Sequence, residues 1–207
     1  MKKVAFIAPT YPVLSETFIQ TEVDSIKACG HDVCVMAFEI EESEKLFDYD
    51  IVKIGQDFQV RKLINVNWFG FIRAIFFVSK QTSMPKRSLL AYGFKLALQL
   101  AEKDVEHVHA HFCQHTTAHA IVAAKLLNIT CSFVAHGHDV YEFAFDIEQK
   151  ISSSDFAVVV CKDMLIDFNN MAKGNVKLLH CGVNTKQFQL YPKTCLLYTS
   201  DAADDTC

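Results

Sequence analysis

Glycine is scarce in this chain of 207 residues: there are seven, and neither a G-x-G-x-x-G nor a G-x-x-x-x-G-K-[ST] run is among them. That excludes the glycine-rich phosphate loops of dinucleotide-binding and P-loop proteins. With only four prolines as well, collagen-like and low-complexity architectures are out. Positive charge is not in excess. Twenty Lys and Arg face 24 Asp and Glu, a formal charge of -4, whereas a general nucleic-acid binder needs a basic face. No C-x-x-C pair occurs among the eight cysteines, and most sit in apolar runs such as Val33-Cys34-Val35 and Val159-Val160-Cys161. This is the pattern of reduced core cysteine in a cytoplasmic protein, not of a disulfide framework. Long hydrophobic runs are missing too. Pro9 ends the first apolar run, Val4 to Ala8, after five residues, too short for a signal peptide. No segment is long and apolar enough to span a bilayer.

What is present is a core. Hydrophobic residues are 51% and charged residues 21%, enough apolar surface for an ordinary folded domain. Aliphatic runs alternate with helical patterns along the chain. Val4 to Ala8 reads as a strand, and Pro9 to Pro12 as a loop, because both prolines restrict it. Ser15 is the expected N-cap of a first helix, with Glu16 in its first turn, and Gly30 stops that helix. Val33 to Phe38 is the second strand, Glu39 to Asp50 an acidic surface excursion, and Ile51 to Ile54 a short strand. Arg87 to Lys103 is helical. Strands then follow at Val105–Ala110, Thr130–Ala135, Phe156–Val160 and Val176–Leu179. Between them lie helices at His115–Asn128, Ile147–Ser152 and Lys162–Met171, the last capped by Gly174. Such strands imply a parallel sheet covered on both faces, a doubly wound α/β (Rossmann-like) fold. Ligands of such a sheet sit at the carboxyl ends of its strands.

Three loops at strand ends carry chemistry. The turn Ser15-Glu16-Thr17 presents backbone N–H groups to an anion, or is an ordinary helix start. His107, His109 and His111 lead into His115 and His119. The last three share a helical spacing, which raises a metal site. A strand end at His111 breaks that helix, and no further ligand completes a cage, so no metal is expected. His109 is the better site candidate. The third loop, His136-Gly137-His138-Asp139, follows an apolar strand, and Gly137 permits a tight turn. A histidine there donates hydrogen bonds or acts as acid or base near neutral pH.

Four segments resemble one family. Pro12-Val-Leu-Ser-Glu-Thr-Phe-Ile19 is similar to the P-x-L-S-E-T-F-I signature of family-4 glycosyltransferases that build bacterial exopolysaccharide, the colanic-acid type among them. Val108-His-Ala-His-Phe112 resembles their H-A-H-F strand end, and Phe133-Val-Ala-His-Gly-His-Asp-Val140 their T-A-H-G-H-D loop. His180-Cys-Gly-Val-Asn184, followed by Phe188, resembles the segment where their first domain passes to the second. The resemblance implies the N-terminal half of a GT-B architecture, with the active site in a cleft between two Rossmann-like domains. It implies a nucleotide-diphosphate sugar donor, retaining transfer to a saccharide or lipid-linked acceptor, and no cofactor or required metal. By position, His136 is the active-site histidine. Ser15, Glu16 and Thr17 lie by the donor phosphates or the acceptor; His109 and His111 line the acceptor side. Gly137 and Asp139 complete the substrate-binding set. Asn184 stands where relatives more often carry Asp, and the glycine pair many relatives carry after the first strand is absent.

The resemblance also organises the chain. Residues 1–188 are the acceptor-side domain and 189–194 begin a linker towards a second domain that holds the main donor site. Residues 195–207 read like the translation of a sequencing adapter, with a natural acidic tail as the competing reading. On that reading the chain is a truncated, inactive piece of a cytoplasmic enzyme. Residues 58–80 mix aromatic and basic side chains: either a peripheral contact with the inner face of the membrane, or ordinary core. Two rival functions stay open: a non-catalytic carbohydrate- or nucleotide-binding α/β domain, and a metal hydrolase using the histidines.

Overall fold

Branched and aromatic apolar residues fill the chain's short hydrophobic runs, and such side chains fit a pleated surface. In the computed structural model, which describes residues 2–43, 46–55, 68–142 and 144–182, these runs form seven strands. They are β1 (Lys3–Tyr11), β2 (Asp32–Ile40), β3 (Asp50–Lys53), β4 (His107–His111), β5 (Thr130–Ala135), β6 (Phe156–Val159) and β7 (Val176–Leu178). All neighbours pair in parallel, in the order β3-β2-β1-β4-β5-β6-β7. Seven helices accompany them among the described residues: α1 (Thr17–Ala28), α2 (Trp68–Lys80), α3 (Lys86–Glu102), α4 (His115–Leu127), α5 (His138–Tyr141), α6 (Ile147–Ser153) and α7 (Lys162–Met171). The expected doubly wound, Rossmann-like α/β sheet is therefore what the chain builds. The strand order reverses between β1 and β4, which makes their carboxyl ends the switch point where such sheets open a crevice.

Strand alternation divides the core in two. Val4, Phe6 and Ala8 of β1 pack with Ile19 and Val23 of α1. Ala5 and Ile7 face the other way, towards Ala74 and Phe77 of α2, Leu89, Leu96 and Leu100 of α3, and Ile121 of α4. Helix α4 is apolar nearly all round because α2 and α3 lie over it. Their approach is so close that a Cβ on Gly70 would stand 2.1 Å from the Lys125 carbonyl oxygen.

Several local expectations need correction. The first strand does not stop at Ala8 but runs through Pro9 to Tyr11. Among the described residues its only strand partner beyond Ile7 is β2, and Pro9 falls between the paired residues Ala8↔Ala37 and Thr10↔Glu39, so its missing N–H costs no ladder bond. Residues Glu39 and Ile40 accordingly belong to β2, not to the acidic excursion. Ser15 is not the N-cap. A turn closed by Glu16 N–H to Val13 O places the cap at Glu16, without a side-chain bond. Helix α7 ends at Met171, with Ala172 as its cap; Gly174 lies farther on, packed against Ile151. The cysteines are free among the described residues: Cys34, Cys113 and Cys131 are core as expected, whereas Cys29 and Cys181 are exposed. Of the 58–80 stretch, 58–67 lie outside the described residues, as do 183–188 of the first domain, the linker at 189–194 and the tail at 195–207.

Buried histidines make stability pH-dependent, and His119 does so within the core away from the strand ends. His119 in α4 is 6% exposed; its ring packs on Phe38 and Tyr92, and its Nδ1–H donates to the His115 carbonyl at 2.7 Å. Burial pulls its pKa from the ordinary 6.5 down to about 4, against the raising effect of that hydrogen bond. Between those values the unfolded chain binds a proton that the folded chain refuses. The contribution of the neutral ring is therefore complete above pH 6.5 and is lost as pH falls towards 4, by about 3 kcal/mol at most. We predict that His119→Gln flattens the fall in unfolding free energy between neutral pH and pH 4, measured by urea titration. Equal slopes in variant and wild type would contradict this.

Candidate active site at the sheet's switch point

The pairing of β1 with β4 sets Phe6 beside His109, and the pairing of β4 with β5 sets His109 beside Ser132. With a period of two, His107, His109 and His111 share the face covered by α1, while Val108 and Ala110 enter the opposite core. His107 and His109 form a ladder of hydrogen bonds with β5 that assigns which ring nitrogen faces which hydroxyl. Thr130 Oγ1 donates to the Glu106 carbonyl, so it accepts from His107 Nδ1–H at 2.7 Å. His107 is neutral at physiological pH, its pKa pulled to about 4 by burial and by the neighbouring His109. Its Nε2 therefore accepts from Ser132 Oγ–H at 2.7 Å. Ser132 Oγ, having given its one proton, accepts from His109 Nδ1–H at 2.7 Å.

His109 consequently turns Nε2 towards α1, where Glu22 waits. The distance from Nε2 to Glu22 Oε1 is 3.2 Å, and His111 Nε2 lies 3.8 Å from Glu22 Oε2. Neither ring nitrogen makes an aligned hydrogen bond. Burial opposes ionisation of Glu22, but His109, His111 and His136 outweigh it and hold its carboxyl at about 2. His111 is fully buried, which drives its pKa well below 6.5 and keeps it neutral.

His136 follows β5 and closes the group. Its Nε2 is 3.4 Å from His111 Nδ1, and the two rings stack with centroids 5.7 Å apart. Phe18 of α1 lies at 4.3 Å and Phe112 at 5.0 Å from its ring. Burial lowers the His136 pKa, partly offset by Asp139 and Glu22. Phe18, Glu22 and His136 line a cavity of about 290 Å³ with Val134, His180 and Cys181. The Cys181 Sγ is 3.9 Å from His136 Nδ1.

Two loops are locked together beneath this ring. Asp139 is completely buried; Oδ1 accepts from His136 N–H at 2.8 Å and Oδ2 from Cys113 N–H at 2.5 Å. Lys150, 1% exposed, donates to the carbonyls of Cys113 and Phe145 at 2.9 and 2.7 Å. Burial lowers the Lys150 pKa, while nearby carboxylates, Asp139 among them, act to raise it. Phe112 sits between them at φ 69°, a left-handed conformation that costs a bulky residue about 1–3 kcal/mol. Hydroxyls of Thr116 and Thr117 hold its carbonyl at 3.1 and 2.6 Å. Gly137 has φ 98° with no atom within 4 Å of a built Cβ, so backbone geometry, not space, demands glycine there.

The structure thus gathers His109, His111 and His136, and gives Asp139 and Gly137 the task of positioning His136. Glu16 lies elsewhere, in a second cavity of about 450 Å³ with Pro9, Phe112, His115, His138 and Lys150. Its Oε2 is buried without a partner, and burial raises its pKa, with Glu41 adding to the rise. Ser15 is exposed on the same loop, and Thr17 is exposed at the start of α1. His115 and His119 are not with His111: one faces the second cavity and the other the α3–α4 interface. Sequence reasoning missed Glu22, Phe18 and Ser132. The available signal was H-x-H-x-H read with a strand's period of two instead of a helix's.

No protein-family profile matches the sequence, and no curated protein does. Solved structures match in fold. A sucrose-phosphate synthase from Thermosynechococcus elongatus aligns with TM-score 0.55 and 12% identity over 88% of this chain and 91% of that one. MurG from Acinetobacter baumannii aligns with TM-score 0.50 and 12% identity over 87% of this chain. The present chain spans 45% of that MurG chain. At such identity the likeness is one of fold.

Proposed function

We propose that the chain is the acceptor-side, N-terminal half of a retaining glycosyltransferase of GT-B architecture. Its donor would be a nucleotide-diphosphate sugar, bound mainly by a second domain, and its acceptor a growing exopolysaccharide or a lipid-linked oligosaccharide. The observation that carries the reading is the convergence of the loops after β1, β4 and β5 at one switch point. Three of the four glycosyltransferase-like segments fall on these loops. The shared fold with a sucrose-phosphate synthase, by its name an enzyme of sugar joining, agrees with it.

The chemistry follows from charge. As the glycosidic bond to the diphosphate breaks, negative charge grows on the leaving oxygen and positive charge on the sugar ring, and fixed dipoles near them stabilise both. His136, held by Asp139 and flanked by Phe18 and Phe112, offers a hydrogen bond to the donor sugar from a ring that cannot swing away. Glu16, with an unpartnered carboxylate oxygen in the second cavity, accepts from an acceptor hydroxyl there. Ser15 of the same loop and Thr17 at the start of α1 contribute from the exposed side, and His109 and His111 form the wall behind His136. We predict that His136→Ala in the two-domain enzyme lowers kcat/KM by at least about 100-fold with an unchanged melting temperature. Wild-type turnover would defeat the assignment.

A membrane-facing role fits a lipid-linked acceptor and a cytoplasmic enzyme at the inner leaflet. Helix α2 divides its apolar side chains: Ala74, Phe77 and Val78 are core, whereas Trp68, Phe69, Ile72, Ile75 and Phe76 are exposed. No described helix is long and apolar enough to cross a membrane. From residue 58 to 101 the sequence holds seven Lys and Arg and no Asp or Glu, although the whole chain is acidic. A cationic, aromatic surface of this kind suits anionic lipid. Vesicles containing phosphatidylglycerol should therefore pellet the protein, neutral phosphatidylcholine vesicles should not, and Trp68→Ser/Phe76→Ser should abolish the difference. Equal partition of wild type into both would refute the contact.

A further inference from the structure

Glu22, His109 and His111 each offer one ligand atom, and these atoms lie within 4.8 Å of one another. The ladder described above fixes what those atoms are. His109 Nδ1 is engaged by Ser132 Oγ at 2.7 Å, so Nε2 is the ring nitrogen left to face Glu22. His111, with Nδ1 towards His136, likewise presents Nε2. Both Nε2 atoms are shut off from solvent and make no aligned hydrogen bond, and His109 and His111 are only 5% and 0% exposed. Opposite them are the two oxygens of a carboxylate at 3.2 and 3.8 Å. A cation seated among these three ligand atoms would engage both ring nitrogens and the carboxylate at once.

We propose that Glu22, His109 and His111 form a binding site for a divalent d-block cation, zinc by its ligand chemistry. Two imidazoles and one carboxylate are a recurring zinc set, and bond lengths near 2.0–2.2 Å put tetrahedral neighbours about 3.3 Å apart, which the Glu22–His109 contact already meets. Two histidines at i and i+2 of a strand give a rigid base, and Glu22 closes it from α1. The site is not sealed: Glu22 also lines the 290 Å³ cavity, so a fourth position facing it would take an oxygen donor, water or a hydroxyl. Cys181 beside His136 is the nearest thiol to that opening. The cation would clamp α1 to β4 under the proposed sugar pocket. The inference does not depend on the transfer reaction, since metal binding is read without turnover and either reading can fail alone.

The test uses the full chain stripped with a chelator and returned to zinc alone, with bound metal counted after equilibrium dialysis and affinity measured by calorimetry. One zinc per chain is expected at this site. Glu22→Gln, His109→Gln and His111→Gln should each weaken it by at least about tenfold, and Cys181→Ser should leave it in place. Cobalt in its place should show nitrogen and oxygen ligation without a thiolate band. Glu22→Gln keeps the test open if a buried histidine variant fails to fold, because Glu22 is 30% exposed on α1. No zinc site in the wild type, wild-type affinity in Glu22→Gln, or loss only in Cys181→Ser would each overturn the proposal.

Discussion

A single buried carboxylate ties the rim of this sheet together. Asp139 spends one oxygen on the N–H of His136 and the other on the N–H of Cys113, joining the loop after β5 to the loop after β4. Burying a charge is costly unless it is hydrogen-bonded, and here two backbone N–H groups donate to Asp139 while Lys150 acts on it only through its nearby charge. Lys150 in turn holds the carbonyl of Cys113, so residue 113 is gripped at both its polar groups by opposite charges. Everything on the rim depends on that grip. Phe112, next to it, takes a backbone conformation that a bulky side chain avoids, and His136 is fixed in a stack on His111.

Strand alternation then separates two kinds of interior. On one face β4 contributes Val108 and Ala110 to an aliphatic core under α2, α3 and α4. On the other it contributes three histidines: His107 and His109 bond Thr130 and Ser132 of β5, and His109 and His111 face Glu22 of α1. Five residues of one strand thus serve stability on one side and carry polar chemistry on the other. The polar side lies at the switch point, where no further strand crosses and a ligand has access.

Much of the fold was legible. Thr130–Ala135 and Lys162–Met171 have the bounds that composition and period implied, because each is a local pattern with clear stops. The parallel sheet followed from aliphatic strands alternating with helices. Pro9 was misread because the cost of a missing N–H depends on which neighbouring strand is present, and that is a tertiary fact. Ser15 lost the cap to Glu16 for a similar reason, since the Val13–Glu16 turn sets where the helix begins. At the site, His109, His111 and His136 were visible as polar residues at strand ends. Glu22 was not, because it sits among other charged residues on an amphipathic helix and only the packing of α1 on β4 brings it to the histidines. His115 and His119 looked like partners of His111 under a helical period that the strand does not share.

The interlock at Asp139 is the claim on which the rim stands, and native-state hydrogen exchange of two amides tests it most directly. The N–H groups of His136 and Cys113 should exchange slowly in the wild type, and Asp139→Asn should speed both by about tenfold or more. The amide of Phe6, in the central strand, should be unaffected. Unchanged exchange at His136 and Cys113 in that variant would show that something other than this carboxylate holds the two loops together.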